Sequence, residues 1–107
     1  MSNDVPKLAD IARGGAVLVL VRLGRKEPIT NRELIEAAGG TDFYARQIRG
    51  DLVDAGLIEV EEVPISGATR QYNIRLTPVG REVARKLVEV DEVLKRSTSR
   101  DETKRAR

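Results

Sequence analysis

The sequence predicts an α+β fold in which three helices precede a two-stranded hairpin and a last helix follows it. Three observations carry this. Around residues 30–41 a helix-start signature and a Gly-Gly pair delimit one short helix and open another. Two strand-like runs, "LIEVEEV" and "QYNIRLT", come next, joined by a connection containing Pro, Ser and Gly. Thr77-Pro78 then begins an amphipathic stretch. At 107 residues the chain fits one compact domain plus an appendage. Aromatics make up only 3% of it, so the core must be built from Leu, Ile, Val and Ala.

Residues 6–24, "PKLADIARGGAVLVLVRLG", read as a first helix, with Pro6 at an early position and Gly24 as its stop. Its second half is apolar nearly all round, which predicts a central, buried element. Gly14 and Gly15 each cost about 1 kcal/mol inside a helix. They are expected either to break it or to admit a close neighbour. In "EPITNRELIEAAGG" Thr30 and Glu33 form a capping box, and Ile29 and Leu34 a hydrophobic staple. That helix spans residues 31–38 and ends at Gly39-Gly40. Thr41 then caps a third helix running to residue 55, with Gly56 closing it. The strands fall at 57–63 and 71–77. In the second, Tyr72, Ile74 and Leu76 alternate with polar residues, and "PISGATR" reads as a long hairpin loop. Pro78 at the first helical position opens a last helix to residue 96. Residues 1–5 and the basic tail 97–107 are expected to be disordered; the tail's only apolar residue is Ala106.

Composition removes whole classes of chemistry. Without Cys or His, the chain has no disulfide, no thiolate nucleophile, no Cys/His zinc site and no imidazole base. No metal site, cofactor or clustered carboxylate constellation is visible, so the reading is not an enzyme. The apolar run at 16–21 is too short to span a bilayer, and the polar start has no signal core. A soluble cytoplasmic protein without a membrane partner is therefore expected.

A short helix, a Gly-containing turn and a second amphipathic helix make the sequence form of a helix-turn-helix, and the hairpin after it makes a wing. At 100° per residue, Ala45, Ile48 and Leu52 fall on one stripe and should face the core. Phe43, Arg46, Gln47, Gly50 and Asp54 cluster opposite, with Tyr44 at the edge. In such a unit the start of the second helix enters the major groove of double-stranded DNA. Arg46 suits guanine and Gln47 adenine. Phe43 or Tyr44 could meet a thymine methyl or a sugar edge, and Phe43 could instead tuck back onto the core. Thr41 and Arg49 share that segment. Thr30, Asn31 and Arg32 lie at a helix N-terminus suited to a phosphate. Thr69 and Arg70 near the wing tip could reach the minor groove or backbone, whereas Arg75 reads as a solvated charge.

The segment "LIEAAGGTDFYARQIRGDLVDAGLIEVEEVP…TRQYNIRLTPVGREVARKL" resembles winged-helix transcriptional regulators of the MarR and PadR type. Leu52 followed by "DAGLIEV", and then "YNIRLTPVG", carry the likeness, which covers residues 17–88. It implies a winged helix-turn-helix that binds DNA. The shape is closest to small archaeal winged-helix proteins that dimerise through one long terminal helix. The chain lacks the length and recognisable pocket of effector-sensing relatives, so no small-molecule effector is expected.

Val83, Leu87, Val90 and Leu94 are spaced 4, 3 and 4, a coiled-coil-like seam that predicts a homodimer. Within it Val83 and Leu87 fit a stripe facing their own domain, whereas Val90 and Leu94 lie beyond its reach and call for a partner helix. The division is thus a winged-helix domain at 6–78 and a dimerisation helix at 79–96. The function expected is sequence-specific DNA binding by a homodimeric transcriptional regulator. An architectural, chromatin-like binder and a protein-interaction module remain alternatives. The last is favoured by the net charge of −1 over residues 41–54 and by the carboxylates of "EVEEV".

Overall fold

A computed structural model describes residues 7–67 and 69–105. The expected disordered stretch 1–5, the helix-opening Pro6 and residues 106–107 lie outside the described residues. The single first helix expected over 6–24 is two pieces. Lys7–Ile11 is a 3-10 turn, Arg13 is extended, and α1 spans Gly14–Arg25. The glycine pair therefore marks a break. Gly24 does not stop α1, which continues one residue further. A Cβ at Gly24 would lie 2.9 Å from Val88 Cγ2 and 3.2 Å from Ala84 Cβ, so its smallness serves a helix crossing. Ala16, Val19, Leu20 and Leu23 are buried as expected, but Leu18 is exposed.

Helix α2 spans Asn31–Ala38 and is capped as its sequence demands. Glu33 N–H donates to Thr30 Oγ1 at 3.2 Å, and Thr30 N–H donates to Glu33 Oε1 at 2.9 Å. Gly39, at φ 75°, turns the chain out of it. Helix α3, Asp42–Asp54, starts at Thr41, whose Oγ1 accepts the Tyr44 N–H at 3.2 Å.

The hairpin differs from expectation. Strand β2 spans Ile58–Ser66 and β3 spans Thr69–Leu76, so most of the expected loop is strand. Pairing holds one register from Ile58↔Leu76 to Pro64↔Arg70, then shifts by one residue before Ser66↔Thr69. The bulge at Ile65 and the edge position of β2 are what make Pro64 tolerable, since an edge proline forfeits no ladder bond. A third strand appears that the sequence does not announce. Ile29–Thr30, β1, pairs antiparallel with β3 through Ile29↔Ile74, giving the order β1-β3-β2.

Helix α4 spans Pro78–Arg105. It therefore runs past the end expected at residue 96 and takes in residues 97–105, which the sequence reading leaves to the tail. No Gly or Pro follows Gly80 to halt the helix, and a polar composition does not by itself oppose one. The chain forms an α+β winged helix in which four helices frame a three-stranded antiparallel sheet.

The core gathers Leu20 and Leu23 of α1, Leu34 of α2, Ile48 and Leu52 of α3 and Ile74 of β3, none more than 1% exposed. Each such side chain contributes about 1.5–3 kcal/mol on burial. The joint between this core and α4 is tightly built. Thr77 Oγ1 donates to the Gly56 carbonyl at 2.6 Å and accepts the Gly80 N–H at 3.0 Å. A Cβ at Gly80 would be driven into the Leu57 backbone carbonyl. Glu27 completes the joint: one oxygen accepts the Leu76 N–H at 3.0 Å and the other the Arg81 Nε–H at 2.8 Å.

Two outcomes are expected. Gly80→Ala should lower stability by at least about 2 kcal/mol, because backbone rather than a yielding side chain opposes the methyl. Gly50→Ala, with open space at its Cβ, should gain up to about 1 kcal/mol. Denaturant midpoints check both, and a similar change at both positions would refute the contact with Leu57. The second outcome concerns acid. Burial alone would raise the Glu27 pKa, but the Leu76 N–H and then Arg81 outweigh it and hold it below the usual 4.5. A carboxylate lowered in the folded state stabilises above its unfolded pKa, and this is lost as pH falls through the folded value. Stability should therefore drop below about pH 4.5, with Glu33 and Asp91, also lowered, adding to the loss. Glu27→Gln should cost about 1 kcal/mol at neutral pH and flatten the acid limb. An unchanged pH profile would remove Glu27 from that account.

Candidate nucleic-acid interface

Helix α3 is divided lengthwise. Ala45, Ile48 and Leu52 are buried beneath it. Phe43, Arg46, Gln47, Gly50, Val53 and Asp54 are exposed on the opposite flank. Phe43, for which a core contact was equally open, is 71% exposed. Leaving an aromatic ring in water costs burial energy that this small core could have used. Nothing lies within 4 Å of a Cβ at Gly50, so a flat surface could approach the helix closely there.

Tyr44 does not join that flank. It is half-buried, its ring sits over Gly15 and Gly40, and its hydroxyl accepts the Gly15 N–H at 3.2 Å. A Cβ at Gly15 would come within 2.8 Å of the ring. The second glycine of the pair thus makes room for Tyr44, which satisfies an N–H of the first turn of α1 that the helix cannot. Tyr44 locks α3 to α1, and its aromatic neighbour is the one left free.

Two further ties fix the helix. Arg49 Nη1 donates to Asn31 Oδ1 at 2.6 Å, and its guanidinium lies 5.7 Å from the Tyr72 ring centroid. Asn31, Arg49 and the wing strand are thereby brought together at one edge of α3. Arg13 pairs with Asp51 at 3.0 Å on the other edge. Thr30 and Thr41 are occupied as caps, while Arg32 is exposed beside Asn31.

Two of the cations expected to meet DNA have carboxylate partners. Arg46 pairs with Asp42 at 2.8 Å one turn earlier, and Arg70 with Glu62 across the hairpin at 3.1 Å. Arg75 pairs with Glu61 at 3.4 Å. Asp42, Glu62, Tyr72 and Val53 belong to this surface and were missed from sequence. The i,i+4 spacing of Asp42 and Arg46 was readable; the Glu62–Arg70 pair needed the strand register. Thr69 opens β3 opposite Ser66, and its side chain lies outside the described part. Among the described residues no helix is long and apolar enough to cross a membrane.

No protein-family model and no curated protein matches the chain. Solved structures do. A protein from Salmonella typhimurium described as a transcriptional regulator superposes with a TM-score of 0.75 at 21% identity, covering 94% of this chain and 88% of its own. A MarR family transcriptional regulator from Silicibacter pomeroyi gives 0.67 at 20% identity over 80% of this chain and 59% of its own. A homodimeric winged helix-turn-helix DNA-binding domain from Mycobacterium bovis gives 0.57 at 24% identity over 86% and 78%. At such identities the likeness is one of fold: the chain shares the winged-helix fold of these proteins.

Proposed function

We propose that the chain binds double-stranded DNA as a sequence-reading transcriptional regulator and acts as a homodimer. The observation that carries the reading is the free flank of α3. Phe43, Arg46, Gln47 and Gly50 face solvent along one side of a helix whose other side and both edges are pinned. Inserted in a major groove, Arg46 suits the N7 and O6 acceptors of guanine, Gln47 suits adenine, and Phe43 the thymine methyl. The N-terminus of α2, with Arg32 beside it, serves the flanking phosphate, and Arg70 on the wing serves the next stretch of backbone. Regulators and a DNA-binding domain among the structural neighbours support the same reading.

Helix α4 supports the dimer. Val83 and Leu87 are half-buried against the chain's own core, whereas Val90, Val93 and Leu94 are exposed, Leu94 by 60%. The outer half of the expected seam therefore lacks a partner among the described residues. A two-fold pair would place two copies of α3 on half-sites about one helical turn apart.

The competing reading, a protein-interaction module, draws on the carboxylates that pair Arg46, Arg70 and Arg75. It differs in predicting no duplex binding at any salt concentration. An architectural binder differs in showing equal affinity for all sequences.

Fluorescence anisotropy of duplexes across a salt series tests this. The wild type should bind with a log–log salt slope set by its phosphate contacts, and Arg46→Ala should lose about 1–3 kcal/mol on its best sequence. Absence of binding at low salt would sink the reading. For the assembly, Val90→Glu with Leu94→Glu should convert a sedimenting dimer to a monomer; a wild type already monomeric at micromolar concentration would end the dimer proposal.

A further inference from the structure

The pairing of Arg46 is hard to reconcile with simple attraction to DNA. Its guanidinium and the Asp42 carboxylate are 66% and 52% exposed, yet lie 2.8 Å apart on the flank that would face a duplex. The wing repeats the arrangement. Residues 58, 60, 62 and 64 of β2 share a face with 76, 74, 72 and 70 of β3, by register and alternation. That face carries the buried Ile58 and Ile74, and its Tyr72 meets Arg49 of α3. Glu62 and Arg70, 3.1 Å apart, lie on it. Glu61 and Arg75 pair on the opposite face.

A guanidinium has five donors in a fixed fork. Arg46 can keep Asp42 on one nitrogen and still present others to a guanine edge, because α3 would enter the groove along the same direction. Swinging aside to a phosphate requires leaving the carboxylate, which then stands uncompensated beside the DNA backbone. Phosphate neutralisation supplies nearly all sequence-independent affinity. The pair therefore weakens attachment to arbitrary duplexes while leaving base reading intact.

We propose that Asp42 is a specificity-determining residue: it holds Arg46 pointed at base edges and withholds it from phosphate. This rests on the duplex-binding reading given above. It makes the negative charge of α3 a component of recognition.

The test compares wild type, Asp42→Asn and Glu61→Gln on two probes: a random-sequence duplex and the duplex that the wild type selects from a random pool. An exposed pair is worth a factor of up to about five. Asp42→Asn should thus bind the random duplex about threefold tighter, with a steeper salt slope as Arg46 gains a phosphate. Its affinity for the selected duplex should hold or fall, so the ratio of the two affinities drops. Glu61→Gln, the same loss of charge on the far face of the wing, should leave that ratio within about twofold. An unchanged ratio in Asp42→Asn, with the wild type binding normally, overturns the proposal alone. An equal drop in Glu61→Gln also overturns it, since overall charge would then suffice. Failure of the wild type to bind either probe at low salt overturns the duplex-binding reading and this inference together.

Discussion

Burial of one narrow stripe under α3 is the constraint on which the rest depends. Ala45, Ile48 and Leu52 are spaced so that only a strip of the helix enters the core, and that strip is essentially sealed from water. Leu52 and Ile48 provide about 3–6 kcal/mol of burial between them, a sizeable share of the net stability of so small a domain. With that anchorage supplied from one side, the other need contribute nothing to folding. It can therefore carry an exposed phenylalanine, a glycine and polar side chains that would otherwise weaken a helix.

Anchorage along a stripe does not by itself stop a helix from rocking about its long axis. The edges do that. Tyr44 reaches across to the start of α1 and Arg49 to α2 and the wing, while Asp51 meets Arg13. Tyr44 and Asp51 meet the start of α1 on one side of the stripe and Arg49 meets α2 and the wing on the other, so rotation in either direction strains at least one contact. For the duplex reading proposed above, orientation matters because a bidentate contact misplaced by an ångström is lost. Gly15 and Tyr44 show how this is encoded. A residue without a side chain and one with a long polar-tipped side chain are set 29 positions apart and meet only in the fold.

That separation also explains what could be read from the sequence and what could not. The capping box, the two-faced pattern of α3 and the Thr-Pro start of α4 are local features, fixed by neighbours within four residues, and all appear in the structure. Tyr44 was assigned to the DNA-facing edge because the helical wheel places it near the boundary and cannot know that Gly15 waits below it. Strand β1 escaped because a two-residue strand has no period; it exists only through pairing with Ile74 and Asn73. The hairpin is longer than its sequence suggests because Pro64 and Gly67 are loop signals locally, whereas a bulge and a tight turn absorb them in the fold. The end of α4 was missed for a different reason. Apolar content reports burial, and a helix extending past the domain need bury little.

The joint at Glu27 decides how far the outer part of α4 and the exposed flank of α3 can act as one body. Glu27 holds the central strand through Leu76 and α4 through Arg81, and Gly80 lies against the Leu57 carbonyl without a side chain between them. One turn of α4 beyond the core, Arg25 clasps both Asp91 and Glu92, at 2.7 Å and 3.0 Å. The helix is thus gripped where it leaves the sheet and again between the exposed Val90 and Val93. Between these grips, Gly24 lets α1 and α4 approach with little space to slide. Tilting of α4 about its start would have to break one of these contacts, so a force delivered to it as far as Glu92 is passed to the domain. In a two-fold assembly the spacing between the two copies of α3 would then be set by the geometry of α4, and the tolerance of that spacing by the stiffness of this joint.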